Sequence, residues 1–227
     1  MDIKTHHLTL QLLPERAVYL PEQKTLLIAD LHVGKSETFQ RFGIPVSNQV
    51  NHTTLNRLIR LCDRLQPKQL FILGDWFHAK EGLVHEVRAL WTTFLETRRM
   101  AVELIVGNHD RHLLDDCLAA MPPHVTVAPE TEFAGLWLTH EPEPPPTMDS
   151  LTLCGHVHPC IRLRSSLDTL RLPCFYWDRR SKMLILPSFG EFTGGYELPL
   201  SPDITAFAIA EDQVVEFDGA RAPHLTA

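Results

Sequence analysis

Apolar residues fall along this chain in short runs, and the early runs stop at residues able to bind a metal. Leu26-Leu27-Ile28-Ala29 leads into Asp30, and Leu70-Phe71-Ile72-Leu73 into Gly74-Asp75. Leu104-Ile105-Val106 leads into Gly107-Asn108-His109-Asp110, Leu136-Trp137-Leu138 into Thr139-His140, and Leu151-Thr152-Leu153-Cys154 into Gly155-His156. Short apolar runs bounded by turn residues predict strands buried on both faces. Two stretches among them carry apolar residues at helical spacing instead. These are residues 51–65, through Leu55, Leu58, Ile59, Cys62 and Leu65, and residues 84–98, through Val87, Leu90, Trp91, Phe94 and Leu95. Pro67 closes the first of these helices. Beyond His158 the pattern turns to strands at 161–163, 170–177, 183–186, 204–210 and 214–217, while residues 1–13 read as an opening strand.

These elements predict an α/β (α+β) chain: two sheets packed together, helices at the flanks, and one domain over residues 1–227. In open α/β sheets ligands bind beyond the carboxyl ends of the strands, so the strand ends named above are expected to converge on one site. Glu141-Pro142-Glu143-Pro144-Pro145-Pro146 cannot be helix or central strand and is expected as a stiff loop on the rim of that site. Residues 218–227 read as a frayed tail.

Composition narrows the setting more than the chemistry. Apolar residues make up 44% of the chain and charged residues 22%, ordinary values for a globular protein. No apolar run approaches the ~18 residues of a membrane span, and the first residues lack a basic-then-apolar leader, so neither a membrane nor export is expected. The five cysteines, Cys62, Cys117, Cys154, Cys160 and Cys174, form no CxxC pair. They suit small buried fillers in a reducing cytoplasm rather than a disulfide framework. The formal net charge of −7 speaks against a polyanionic substrate, but bound divalent cations would reverse the local field.

The polar residues after each run suggest such cations. Asp30-Leu31-His32 places a carboxylate and an imidazole two apart, on one side of the chain if its backbone is extended. Gly155-His156-Val157-His158 does the same with two imidazoles. Asp75 adds a carboxylate after a tight glycine turn, Asn108 a neutral oxygen, and His140 a further imidazole. One DxH is common and usually structural; the whole ordered set is specific. Mixed imidazole and oxygen donors suit Mn²⁺, Fe or Zn²⁺ better than Ca²⁺.

This ordered set of DxH, GDxxH, GNHD, His and GHxH resembles the calcineurin-like metallophosphoesterase superfamily. The resemblance implies a four-layer αββα sandwich of two mixed β-sheets with two divalent metal ions, by family habit Mn²⁺. Carried onto this chain, it puts Asp30, His32 and His158 on one metal, Asn108, His140 and His156 on the other, and Asp75 between them. Two ions ~3.5–4 Å apart can share and activate a water and clamp a phosphate, so the expected reaction is in-line attack by a metal-bridging hydroxide. Asp75 and Asn108 would thus serve catalysis as ligands, with His109 assisting the leaving oxygen. Asp110 is expected either to orient His109 or to cap a following helix, and His78 to act as a neighbour of the metals or a substrate contact.

Narrower features point further. Asp30-Leu31-His32-Val33-Gly34-Lys35, Phe39-Gln40-Arg41-Phe42-Gly43-Ile44-Pro45-Val46 and Leu186-Pro187-Ser188-Phe189-Gly190-Glu191-Phe192-Thr193-Gly194-Gly195 are similar to the ligase-associated bacterial branch. So is Leu13-Pro14-Glu15-Arg16-Ala17. That branch is described as manganese-dependent DNA endonucleases encoded beside a DNA ligase and a helicase. The resemblance therefore implies action on DNA in DNA repair, and the lack of a basic run or a recognised nucleic-acid-binding module predicts weak, sequence-independent binding to a single-stranded or flexible substrate. Lys35, Arg41, His78 and Arg111 are the candidate substrate contacts, and Arg162 and Arg164 lie near ligand-bearing segments. Phe39, Phe42, Trp76 and Phe77 could stack on bases, although such spacing favours the core for Phe39 and Phe42. A small-molecule phosphodiesterase or phosphomonoesterase, and a non-catalytic scaffold in a repair complex, are the rival readings.

Overall fold

The structure is a computed structural model describing residues 1–5, 8–47, 49–98, 100–113, 122–147, 150–164 and 169–220. Of the expected features, Cys117 and tail residues 221–227 lie outside these. The first sheet has seven strands in chain order: β1 (Asp2–Lys4), β2 (Thr9–Leu13), β3 (Ala17–Leu20), β4 (Thr25–Ile28), β5 (Gln69–Leu73), β6 (Ala101–Ile105) and β7 (Val125–Ala128). Pairing is antiparallel from β1 to β4 and parallel from β4 to β7. The expected opening strand is thus two strands, because Thr5 turns the chain back through hydrogen bonds with Leu8.

Parallel neighbours need long crossovers. Here α1 (Lys35–Arg41) and α2 (Gln49–Leu65) lie between β4 and β5, and α3 (His85–Thr97) lies between β5 and β6. Both longer helices follow the apolar spacing of the sequence to within two residues. The second sheet contains β8 (Thr131–Phe133), β9 (Leu136–Leu138), β10 (Leu151–Cys154), β11 (Pro159–Arg164), β12 (Thr169–Asp178), β13 (Met183–Ile185), β14 (Tyr196–Glu197), β15 (Ile204–Ala210) and β16 (Gln213–Asp218). It is also mixed: β9, β10 and β13 run parallel, and β12 pairs antiparallel with β11, β13 and β15.

The period-two alternation of strands sorts the core into layers. Leu26, Ile28, Leu70, Ile72 and Leu104 face α2 and α3, meeting Leu55, Leu58, Trp91 and Phe94. Their neighbours Leu27, Phe71, Leu73 and Ile105 face the second sheet, meeting Leu138, Leu153, Phe175, Leu184 and Phe207. Burial of each such side chain is worth about 1.5–3 kcal/mol, so the two-sheet stack fixes how the strand ends sit together. The other face of the second sheet, including Cys154, Cys174, Tyr176 and Ile185, packs with Val157, Leu198 and Leu200 from loops and with Phe217 of β16. Among the described residues no helix takes part in this packing. Cys62, Cys154, Cys160 and Cys174 are buried and free. No helix among the described residues is long and apolar enough to cross a membrane.

Candidate metal centre

The strands β4, β5 and β6 of the first sheet and β9 and β10 of the second all release their next residues into one place. Asp30, His32, Asp75 and His140 are buried there, Asn108 and His158 are half-buried, and His156 is exposed. All seven expected ligands are brought together.

The backbone that does this is not extended. Asp30, His32, Asp75, His156 and His158 have φ of 54°, 48°, 50°, 68° and 53°. This left-handed region costs an ordinary residue roughly 1–2 kcal/mol, and such strain gathers at functional sites. The sharp turns are held by the other strand ends: the N–H of Asp30 donates to the carbonyl of Gly74, and that of His32 to Asp75. The N–H of His156 donates to both carboxylate oxygens of Asp30, 3.0 Å from each.

The glycines before Asp75, Asn108 and His156 leave space for a side chain from another strand. A Cβ on Gly74 would lie 2.0 Å from His140 Nδ1, one on Gly107 2.2 Å from Asp75 Oδ1, and one on Gly155 2.6 Å from Asp30 Oδ2. Each of the three is a close approach rather than only a tight turn.

The donor atoms form two groups. Asn108 Oδ1 lies 3.0 Å from His140 Nε2 and 3.1 Å from His156 Nδ1, and the two nitrogens are 3.1 Å apart. That near-equilateral triangle matches three adjacent ligands of one ion, each about 2.1 Å from it. His140 Nδ1–H donates to the carbonyl of Leu73 at 3.0 Å, which leaves Nε2 with a free lone pair. In the second group His158 Nε2 lies 3.3 Å from Asp30 Oδ1 and 3.4 Å from His32 Nε2. Asp75 stands between the groups, with Oδ1 3.5 Å from His140 Nε2 and Oδ2 3.8 Å from His32 Nε2.

Protonation is consistent with a cation site. Burial, then the neighbouring His158 and Lys35, push the pKa of His32 far down, so its ring is neutral and able to ligate. Burial opposes charge on His158, but its hydrogen bond to Asp30 and the charge of Asp30 and Asp75 lift its pKa. Burial brings His78 down to about 4, helped by Lys35 and His109. A lone-pair-rich cluster of this kind, with two imidazoles and an amide oxygen at hydrogen-bonding distance, fits a pair of divalent ions.

His109 meets this centre edge-on. Its N–H donates to Asp75 Oδ1 at 2.9 Å, and its Nδ1–H to the backbone carbonyl of His78 at 2.8 Å. Its Nε2 lies 4.0 Å from Asp75 Oδ2. Asp110 performs neither expected role. Its Oδ1 accepts from Phe77 N–H and its Oδ2 from Gly107 N–H, tying together the loops after β5 and β6. Burial raises its pKa to about 6 although those two N–H groups oppose the shift. The sequence could not show this, because both partners lie on turns whose meeting is tertiary.

The candidate substrate contacts divide. Lys35 opens α1, half-buried and within electrostatic reach of Asp75. Arg41 is exposed at the far end of α1, about 9 Å along the axis. Arg111 is exposed and pairs with Glu141 of the proline-rich loop at 3.0 Å. Arg162 pairs with Glu197. His78 sits between His109 and Phe39, its ring 5.1 Å from the first and 6.2 Å from the second. Trp76 and Phe77 are buried and cannot stack on bases, whereas Phe42, expected in the core, is 71% exposed at the end of α1. Phe192, not considered from the sequence, is exposed beside Phe39.

The late glycine-rich segment supports the Asp30 turn from below. Ser188 Oγ and the N–H of Gly190 both donate to the Asp30 carbonyl, and the N–H of Phe189 to that of Ala29. Arg16 donates to the carbonyls of Ser188 and Gly190, and Arg57 lies over the Phe189 ring at 4.5 Å while pairing with Glu191. The opening and late motifs of the sequence thus meet beneath the ligands.

Comparisons with known proteins place the chain in a family. Residues 23–158 match the family model described as calcineurin-like phosphoesterase. The chain is similar to the nuclease MPE of Pseudomonas putida, at 33% identity, covering 95% of this chain and 99% of that one with a TM-score of 0.80. Looser likenesses are AQ665 of Aquifex aeolicus, described as a protein of unknown function (19% identity, 59% of this chain and 78% of that one, TM-score 0.41), and Yfce, a phosphoesterase from E. coli (17%, 85% and 97%, 0.44). Among curated proteins no match is found. With its strand-end donors, its glycine cradles and this family match together, the chain belongs to the calcineurin-like phosphoesterases and is a metal-dependent phosphoesterase.

Proposed function

We propose that the chain is a two-metal phosphodiesterase that cuts single-stranded DNA internally and uses Mn²⁺. The observation that carries the two-metal reading is Asp75, whose carboxylate turns one oxygen toward each donor group. Asp30, His32 and His158 would hold one ion, Asn108, His140 and His156 the other, and Asp75 would serve both. The DNA substrate is supported by the likeness to a nuclease over nearly the whole chain. A role in DNA repair, beside a ligase and a helicase, follows only from the resemblance to the ligase-associated branch.

When bound, the metal pair supplies an activated water and neutralises phosphate charge. The chain's own residues then position and protonate. His109 is anchored at Nδ1 by the His78 carbonyl, so Nε2 is the nitrogen presented toward the centre. The doubly protonated ring can give its Nε2 proton to the departing oxygen. Lys35, near Asp75, adds positive charge on the α1 side, where a phosphate backbone would pass.

The test is incubation of purified protein with circular single-stranded DNA, with and without Mn²⁺, beside an Asp75→Ala control checked for folding by thermal melting. A circle has no ends, so Mn²⁺-dependent nicking that the control lacks is the expected result. Intact circles alongside Mn²⁺-dependent hydrolysis of an aryl phosphodiester would refute the DNA reading and move the substrate to a small molecule.

A further inference from the structure

A row of rings runs outward from the metal centre. The ring of His109 lies 5.0 Å from that of His32, edge to face, and 5.1 Å from His78, stacked at 25°. His78 is stacked on Phe39 at 6.2 Å and 18°, and Phe39 meets Phe192 edge-on at 5.5 Å. The row ends in solvent. Phe192 is 41% exposed, and Phe42, one helical turn after Phe39, is 71% exposed. The N–H groups of Phe42 and Ile44 both donate to the Phe39 carbonyl, so the chain turns tightly here and keeps these residues beside Phe39, and Ile44 is exposed too. Exposed apolar surface collected in one place, rather than scattered, marks an interaction site.

Three features choose the occupant. The surface is continuous with the reacting centre through His78 and His109. Its exposed members are chiefly aromatic, presenting ring faces and edges rather than aliphatic bulk. Positive charge flanks it, with Lys35 at the start of α1 and Arg41 at its end. Flat apolar faces beside cations fit a chain of bases joined by phosphates, and only an unpaired strand can turn its bases onto them.

We propose that Phe39, Phe42 and Phe192 form a base-stacking platform that holds unpaired nucleotides next to the scissile phosphate. This rests on the nuclease reading above and gives it a cause for single-strand preference. The platform recognises base faces, so it is indifferent to sequence. It leaves duplex DNA, whose bases are already stacked on one another, without its grip.

The test uses a thymidine oligonucleotide interrupted by a central run of tetrahydrofuran spacers, which keep sugar and phosphate but lack the base. Cut positions are mapped with Mn²⁺ for the wild type, for Phe42→Ala, and for the double variant Phe42→Ala/Phe192→Ala. Losing one stacked base lowers binding about 10-fold, so the wild type should cut the spacer run about 10-fold less than the flanks. The double variant should cut both evenly, with Phe42→Ala between the two; this single change, at a largely exposed ring, keeps the test alive should the double variant melt early. Identical cut patterns in all three proteins would overturn the platform while leaving the nuclease standing. A wild type that hydrolyses an aryl phosphodiester but cuts no DNA would overturn both. A dimer in sedimentation that the double variant turns to monomer, with its cut pattern unchanged, would assign the surface to a second copy of the chain.

Discussion

Gly74 and Gly135 share nearly the same backbone conformation, with φ of +78° and +81°, but not the same surroundings. Nothing lies within 4 Å of a Cβ built on Gly135, whereas one on Gly74 would stand 2.0 Å from His140 Nδ1 and 2.4 Å from its Cγ. Replacing each by alanine therefore separates two costs. Gly135→Ala carries the left-handed backbone penalty alone, about 1–2 kcal/mol. Gly74→Ala carries the same penalty and must also displace the His140 ring. That displacement breaks the His140–Leu73 hydrogen bond in a buried place, which costs about 1–3 kcal/mol more. For a chain of this size the expected losses in melting temperature are about 4 °C for Gly135→Ala and about 10 °C for Gly74→Ala. The difference also reaches function, because a metal ligand that loses the partner orienting it weakens metal affinity about 10–100-fold. Calorimetric melting of the metal-free proteins, followed by Mn²⁺ titration, measures both effects. If Gly74→Ala melts with Gly135→Ala and titrates Mn²⁺ as the wild type does, the packing of Gly74 under His140 does not hold the ligand in place.

His109→Ala should lower the rate on an unactivated phosphodiester by about 10²–10⁴, and by much less on an aryl diester whose leaving group needs no proton; equal losses on the two would refute the proton-donor role. Burial pushes the Cys62 thiol up to about 11, and those of Cys154 and Cys174 higher. Since the thiolate is the reactive form and exists only as pH approaches the pKa, these three should resist iodoacetamide at pH 8 until the chain unfolds. Mass spectrometry of the native protein showing full modification there would contradict their burial.

Much of the centre was legible in the sequence, because buried strands and metal donors are both local signals. An apolar run of four or five residues such as Leu70-Phe71-Ile72-Leu73 reads as a strand by itself. A donor at the end of each such run, five times in order, points to one shared site, and the family resemblance supplied how those donors would divide between two metals. The spacing of Leu55, Leu58 and Cys62, or of Val87, Trp91 and Phe94, sets the helices in the same way. Tertiary structure decided what depends on residues distant in the chain. The left-handed turns at Asp30 and His156 are held by hydrogen bonds between strand ends, in one case across 126 positions. Gly107 and Gly155 could be read as turn residues, but the carboxylates of Asp75 and Asp30 that fill the space beside them come from other strands. Asp110 reads equally as a partner of His109 or as a helix cap until two loops close on it. Phe42 and Phe192 carry the same apolar signal as any core ring. Only the packing of α1 against the late segment shows which faces are covered, since exposure is a property of the assembled surface and no pattern along the chain records it.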